Sequence, residues 1–146
     1  PTITYSMVDN SDATDTDTST LDISVTPLTD AMSDNDETVT TNEDTPVTGN
    51  VMSVTDTDSS SHSVTTFSVA GDVTTYSAGT TATITNVGTV TIASNGDYTF
   101  TPALNYNGAV PTITYSMVDN SDATDTDTST LDISVTPLTD AMSDND

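Results

Sequence analysis

Carboxylates are the side chains here that could do chemistry in number, and they come in clusters. Asp34, Asn35 and Asp36 stand together. Glu43 and Asp44 follow, then Asp56 and Asp58 in a Ser/Thr-rich run. Asp119, Asp122, Asp125 and Asp127 share one short stretch, and Asp140 and Asp144 lie near the end. The 146 residues hold 23 acids, no Lys and no Arg, for a formal net charge of −23. Two like charges about 4 Å apart repel by roughly 1 kcal/mol in water and about 4 kcal/mol at an intermediate dielectric. Clustered acids in this chain therefore either spread into solvent or take cations from outside. Calcium, Ca2+, is the cation such clusters call for. It accepts six to eight oxygens from carboxylates, amides and backbone in irregular geometry, whereas magnesium demands an octahedron and keeps its waters. Zinc wants His or Cys, and the chain offers only His62. The run Asp122-x-x-Asp125-x-Asp127 is not an EF-hand, because the loop glycine and the twelfth-position Glu are missing.

Other chemistries find little to work with. Paired carboxylates can serve a glycosidase. These sit in loops, however, with no Lys, Arg or Cys to act as nucleophile, clamp or oxyanion donor, so the chain is read as no enzyme and no small-molecule substrate is expected. His62 is read as a surface residue at a strand start. Nucleic-acid binding draws on Lys and Arg and is excluded, and an anionic membrane surface is disfavoured by the same charge. No stretch approaches the 18 or so apolar residues of a membrane span. With no Cys there is no disulfide framework, which leaves metal as the brace for a small acidic domain.

What must position these acids is legible in a repeat. Residues 1–36 are identical to residues 111–146, a period of 110 residues. That period suits whole domains in series rather than solenoid coils. We expect residues 1–36 to be the C-terminal strands of a preceding repeat plus a linker, 37–140 to be one complete module, and 141–146 to be the linker to the next. The sequence then reads as an excerpt of a longer chain, with adjacent identical repeats as its partners. A lone two-stranded hairpin is marginal in water. Residues 1–36 are therefore expected to pair with a neighbour or to swap for 111–146.

High charge and 32% hydrophobic content would suit a disordered chain. The 35 Thr and the period-2 patterns argue otherwise. Ile113, Tyr115 and Met117 alternate with Thr and Ser, as do Leu131, Ile133 and Val135. Strands are expected near 37–41, 47–53, 62–70, 73–77, 80–86, 88–94, 97–102, 111–118 and 128–137. Parity constrains one turn. A two-residue Asn95-Gly96 loop would put Ile92 and Tyr98 on opposite faces, while a three-residue Ser94-Asn95-Gly96 loop puts Val90, Ile92, Tyr98 and Phe100 on one. We expect the latter. Many short strands with turn signals between them predict an all-β fold of immunoglobulin-like antiparallel β-sandwich modules in tandem. In such a sandwich the 54–61 loop, the 119–127 loop and the entering segment 34–36 converge on one end. Glu43, Asp44 and the exit residues Asp140 and Asp144 fall at the other.

Four segments carry a resemblance: Asn42 to Val51 (NEDTPVTGNV), Asn95 to Pro102 (NGDYTFTP), Asn105 to Gly108 (NYNG) and Thr130 to Pro137 (TLDISVTP). In content and order they resemble the bacterial immunoglobulin-like or cadherin-like tandem repeats of giant RTX-type adhesins. The identical copies and the lack of basic residues are most similar to the extender region of a marine ice-binding adhesin. The resemblance implies an extracellular protein of the bacterial cell surface with calcium in and between modules. It also implies that these modules hold an adhesive tip away from the cell. One departure is Val54 to His62, where relatives often carry an acidic loop with glycine and this chain has none. The rival reading is direct binding of ice or glycan by Thr-rich strand faces such as Thr81 to Thr85 and Thr89 to Thr91. Thr also suits any solvated strand face, and an ordered ice-binding array would want a short repeat, which the 110-residue unit lacks.

Overall fold

Among the described residues the chain forms twelve strands, and those of the core alternate apolar with polar side chains. The computed structural model describes residues 1–26 and 29–139. Strands β1 (Thr2–Asp9) and β2 (Asp12–Asp22) form an antiparallel hairpin that is a sheet of its own. Then come β3 (Glu37–Asn42), β4 (Val47–Asn50), β5 (His62–Val69), β6 (Thr75–Ser77), β7 (Thr81–Ile84) and β8 (Gly88–Ile92). The last four are β9 (Asp97–Pro102), β10 (Gly108–Ala109), β11 (Ile113–Asp119) and β12 (Thr126–Thr136). One sheet runs β10-β12-β11-β5-β6 with β3 added parallel to β12, and the other runs β4-β9-β8-β7. The all-β, immunoglobulin-like sandwich expected from the alternation is the fold found.

The core lies between the two sheets. Along β11 the alternation is strict, with Ile113, Tyr115 and Met117 buried, and Leu131, Ile133 and Val135 on β12 join them. Val90, Ile92, Tyr98 and Phe100 face them from the second sheet. The parity of the turn holds: Ile92 pairs with Tyr98 and Val90 with Phe100. Ala93 N–H donates to the Asp97 carbonyl at 2.8 Å, which leaves Ser94-Asn95-Gly96 as the loop. Gly96 sits at φ 84°, the left-handed conformation this loop requires.

Two features of the strand order were not foreseen. β3 lies parallel to β12, from Glu37 beside Leu131 to Asn42 beside Thr136. β10 and β11 follow one another along the opposite edge of β12, broken at Pro111, which has no N–H for a ladder. The second copy of the repeated sequence, not the first, fills the sandwich. The first stands as a hairpin whose strands pair only with each other among the described residues. Residues ahead of β3 also join the module. Met32 is 4% exposed, and Ser33 pairs with Thr55 through two backbone hydrogen bonds of 2.7 and 3.0 Å.

Candidate metal centre

Three segments meet at one end of the sandwich because their strands end there. β5 starts and β11 stops at the same level, with His62 opposite Asp119. The segment before β3 crosses the 119–127 loop. Asp125 Oδ2 accepts from the Met32 N–H at 2.9 Å and Asp127 Oδ2 from the Asp34 N–H at 2.7 Å. Asp34 in turn ties the 54–61 side to the core. Its Oδ1 accepts from the Ser53 N–H at 2.7 Å, and its Oδ2 accepts from the hydroxyl of buried Tyr115 at 2.7 Å. That hydroxyl also reaches the Val51 carbonyl at 2.9 Å. Burial and the neighbouring Asp34 carboxylate push the Tyr115 phenol far up, so it serves as a donor throughout the ordinary pH range.

Two acidic groupings result. Asp30, Asp122 and Asp125, with Thr29, Ala31 and Thr124, line a cavity of ≈ 180 Å³ whose donors are all oxygens. The Asp30 carboxylate accepts from Thr57 Oγ1 at 2.6 Å. The Asp122 carboxyl is held low by the side-chain and backbone hydrogen bonds of Thr124. The second grouping is Asp56, His62 and Asp119, whose candidate ligand atoms lie within 4.8 Å of one another. His62 Nε2 is 2.8 Å from Asp56 Oδ2. This hydrogen bond, with those from the 58–59 turn, holds the Asp56 carboxyl far below its ordinary range. Asp58 moves the other way because the Asp56 carboxylate is beside it. Buried Asp119 is lowered by the Ser121 backbone and hydroxyl and accepts from Ser59 Oγ at 2.7 Å.

The remaining acids fare differently. The Asp36 carboxylate accepts from the Thr130 N–H at 2.8 Å, and Asn35 is exposed. Glu43 and Asp44 lie at the far end. Glu43 is 5% exposed and uses both oxygens on protein donors, the Leu138 N–H at 2.6 Å and Asn107 Nδ2 at 3.2 Å. Asp44 accepts from the Asn105 N–H at 2.8 Å. Asp140 and Asp144 lie outside the described residues.

His62 was misread as a plain surface residue. It does start a strand, but its side chain is only 10% exposed and is paired. The signal was available: a residue opening one antiparallel strand meets the residue closing its neighbour. Asp30 was also missed, because it precedes the segment taken as the module boundary.

Asp56 supplies a pH test. Its folded-state pKa is depressed, so its contribution to stability is complete above the unfolded value near 4 and fades as pH falls through the folded one. The difference in urea midpoint between the wild-type chain and Asp56→Asn should therefore be at its full size at about pH 5. It should shrink steadily below about pH 4. A difference that grows on acidification contradicts the assignment.

A different surface lies on the outer face of the second sheet. Thr48, Thr99, Thr91 and Thr81 form one row across β4, β9, β8 and β7, and Thr101, Thr89 and Thr83 form a second. Thr81 Oγ1 and Thr91 Oγ1 are 2.9 Å apart. The rows do not need the short repeat that the sequence lacks, because cross-strand register assembles them. Spacings follow from sheet geometry, about 4.8 Å between strands and roughly 6.7 Å between rows.

No helix among the described residues is long and apolar enough to cross a membrane. No curated protein matches the chain. The family model described as a bacterial Ig domain matches residues 26–132, from the segment ahead of β3 to part-way along β12. Sandwich, register and match agree, and the chain belongs to the bacterial Ig domain family.

Proposed function

We propose that this chain is a spacer module of a long bacterial surface adhesin, stiffened by calcium at the acidic end of its sandwich, with no catalytic role. One observation carries the reading: carboxylates from three separate segments meet at one end of a chain that has no Lys or Arg to neutralise them. The residues present suit calcium. Asp30, Asp122 and Asp125 line a cavity whose side-chain donors are all oxygens, the donor type this ion selects. These three would hold it. Bound there, calcium supplies charge neutralisation and a cross-link between the segment before β3 and the 119–127 loop. The protein's own part is to aim the donors, through the hydrogen bonds of Thr124 to Asp122, Thr57 to Asp30 and the Met32 N–H to Asp125. Asp56, His62 and Asp119 form a mixed nitrogen and oxygen set and are a weaker match to calcium. Family members are commonly extracellular or surface-exposed, where millimolar calcium is available to sites of about 10⁻⁴–10⁻³ M affinity. A string of such modules, each braced where it meets the next, stays extended. The test is thermal unfolding with calcium and with chelator, and a melting temperature indifferent to chelation overturns the reading.

The Thr rows favour a second reading, direct binding of an ordered surface such as ice or a glycan lattice. A flat face of regularly spaced hydroxyls and methyls is what such a surface would match. If the rows bind ice, the folded chain should partition into slowly growing ice, and Thr91→Tyr in the middle of the face should abolish it. Exclusion of the wild-type chain from ice leaves these Thr as solvated strand formers.

A further inference from the structure

Asp56, His62 and Asp119 differ from the calcium cavity in two ways: they are enclosed, and they include a nitrogen. The side chains of Asp56 and His62 are 0% and 10% exposed, and Asp119 is 3% exposed. His62 opens β5 directly opposite Asp119, which closes β11, and Asp56 comes in from the loop before β5.

Charge does not balance in this enclosure. Two carboxylates against one imidazole stay net negative even when His62 is protonated, and the Asp58 carboxyl beside Asp56 adds to the excess. The chain has no Lys or Arg to offset it, and a buried charge without a partner is costly. Asp119 is a second, separate sign of a missing partner. Its Oδ1 accepts from Ser59 Oγ, the Ser121 N–H and Ser121 Oγ, each at 2.7 Å. Its Oδ2 accepts from none of the described residues, although the residue is buried. No side-chain polar atom among the described residues is both sealed and unsatisfied, so this oxygen lies open to an entering ion.

We infer that Asp56, His62 and Asp119 form a second metal site, one for zinc rather than calcium. Zinc takes imidazole nitrogen and carboxylate oxygen at about 2.0–2.2 Å, and three protein ligands with water in the fourth position is one of its usual arrangements. Tetrahedral bonds of that length set ligand atoms about 3.3 Å apart. His62 Nε2 and Asp56 Oδ2, now 2.8 Å apart, would part by about half an ångström. Asp119 would close in from within 4.8 Å. Supports of the kind that orient metal ligands are in place: Ser59 and Ser121 hold Asp119, and the Asp58 and Ser59 amides hold Asp56. Calcium selects oxygens, six to eight of them, so the imidazole divides the two sites between two ions.

His62 is the only histidine of the chain, so imidazole signals in an NMR spectrum report this site alone. One equivalent of zinc added to the untagged full chain in millimolar calcium should shift or replace them, and further zinc should change them no more. Calorimetry should show His62→Asn weakening zinc binding by more than the roughly 10–100-fold that loss of an outer-shell partner costs, while its β circular dichroism persists. Ser59→Ala, which removes only a support of Asp119, should fall within that range. Imidazole signals of the wild-type chain that ignore zinc overturn the inference, as does zinc that millimolar calcium displaces. So does zinc binding that is unchanged in His62→Asn, which would assign the ion to surface carboxylates.

Discussion

Chelating calcium is expected to lower the melting temperature of the chain by about 10–20 °C for each site emptied. A site filled at 100 times its dissociation constant adds about 2.7 kcal/mol to the folded state. One kcal/mol moves the midpoint of a domain near this size by roughly 4–8 °C. Millimolar calcium approaches that filling only if affinity lies at the tight end of the range for extracellular modules, so the shift should grow through the millimolar range. The size of the effect follows from charge. Asp30, Asp122 and Asp125 line one cavity with no cationic side chain in the sequence to offset them, and like charges repel by roughly 1–4 kcal/mol for a pair about 4 Å apart, less when farther. A double comparison separates a bound ion from general screening. Asp122→Asn with Asp125→Asn should melt well below wild type in calcium, and the gap should narrow in chelator, where neither chain holds the ion and the variant lacks only the charged form of its Thr124 and Met32 hydrogen bonds. If sodium chloride at matched ionic strength restores the melting temperature as well as calcium does, screening suffices and no site need be invoked.

The second large effect concerns one residue type in two places. Ile113→Ala should cost about 2–5 kcal/mol, the range for a fully buried aliphatic side chain, because Ile113 is 0% exposed between the sheets. Ile3→Ala should lie within about 0.5 kcal/mol of wild type, as surface substitutions do, because Ile3 is 47% exposed. The two residues share neighbours over 36 positions and share a register, so propensity and local pairing cancel in the comparison. What is left is the effect of packing against β5 and the facing sheet. Urea unfolding of the two variants measures it. Equal losses would mean that either hairpin can occupy the sandwich of its own chain.

The duplicated hairpin also shows how far local sequence reaches. Alternation in Ile113, Tyr115 and Met117 predicted strand, face and burial, since side chains on a strand must point alternately to opposite sides. The hairpin register is local as well, for it is the same in the sandwich and outside it. The Ser94-Asn95-Gly96 loop followed from parity alone. The gathering of acids at one end followed from strand direction, because the ends of antiparallel strands have to meet.

Other features depend on which strands become neighbours, and no short stretch of sequence encodes that. His62 reaches Asp119 only because β5 lies beside β11. The Thr rows exist only because four separate strands align their outward residues. Glu43 is buried because a parallel β3–β12 pairing brings it beneath Thr136 and Leu138. Identical residues 1–26 and 111–136 end in different states for the same reason. Alternation and turn chemistry act over a few residues and are alike in both copies. Burial depends on surfaces contributed from far along the chain, and in this structure the second copy meets them.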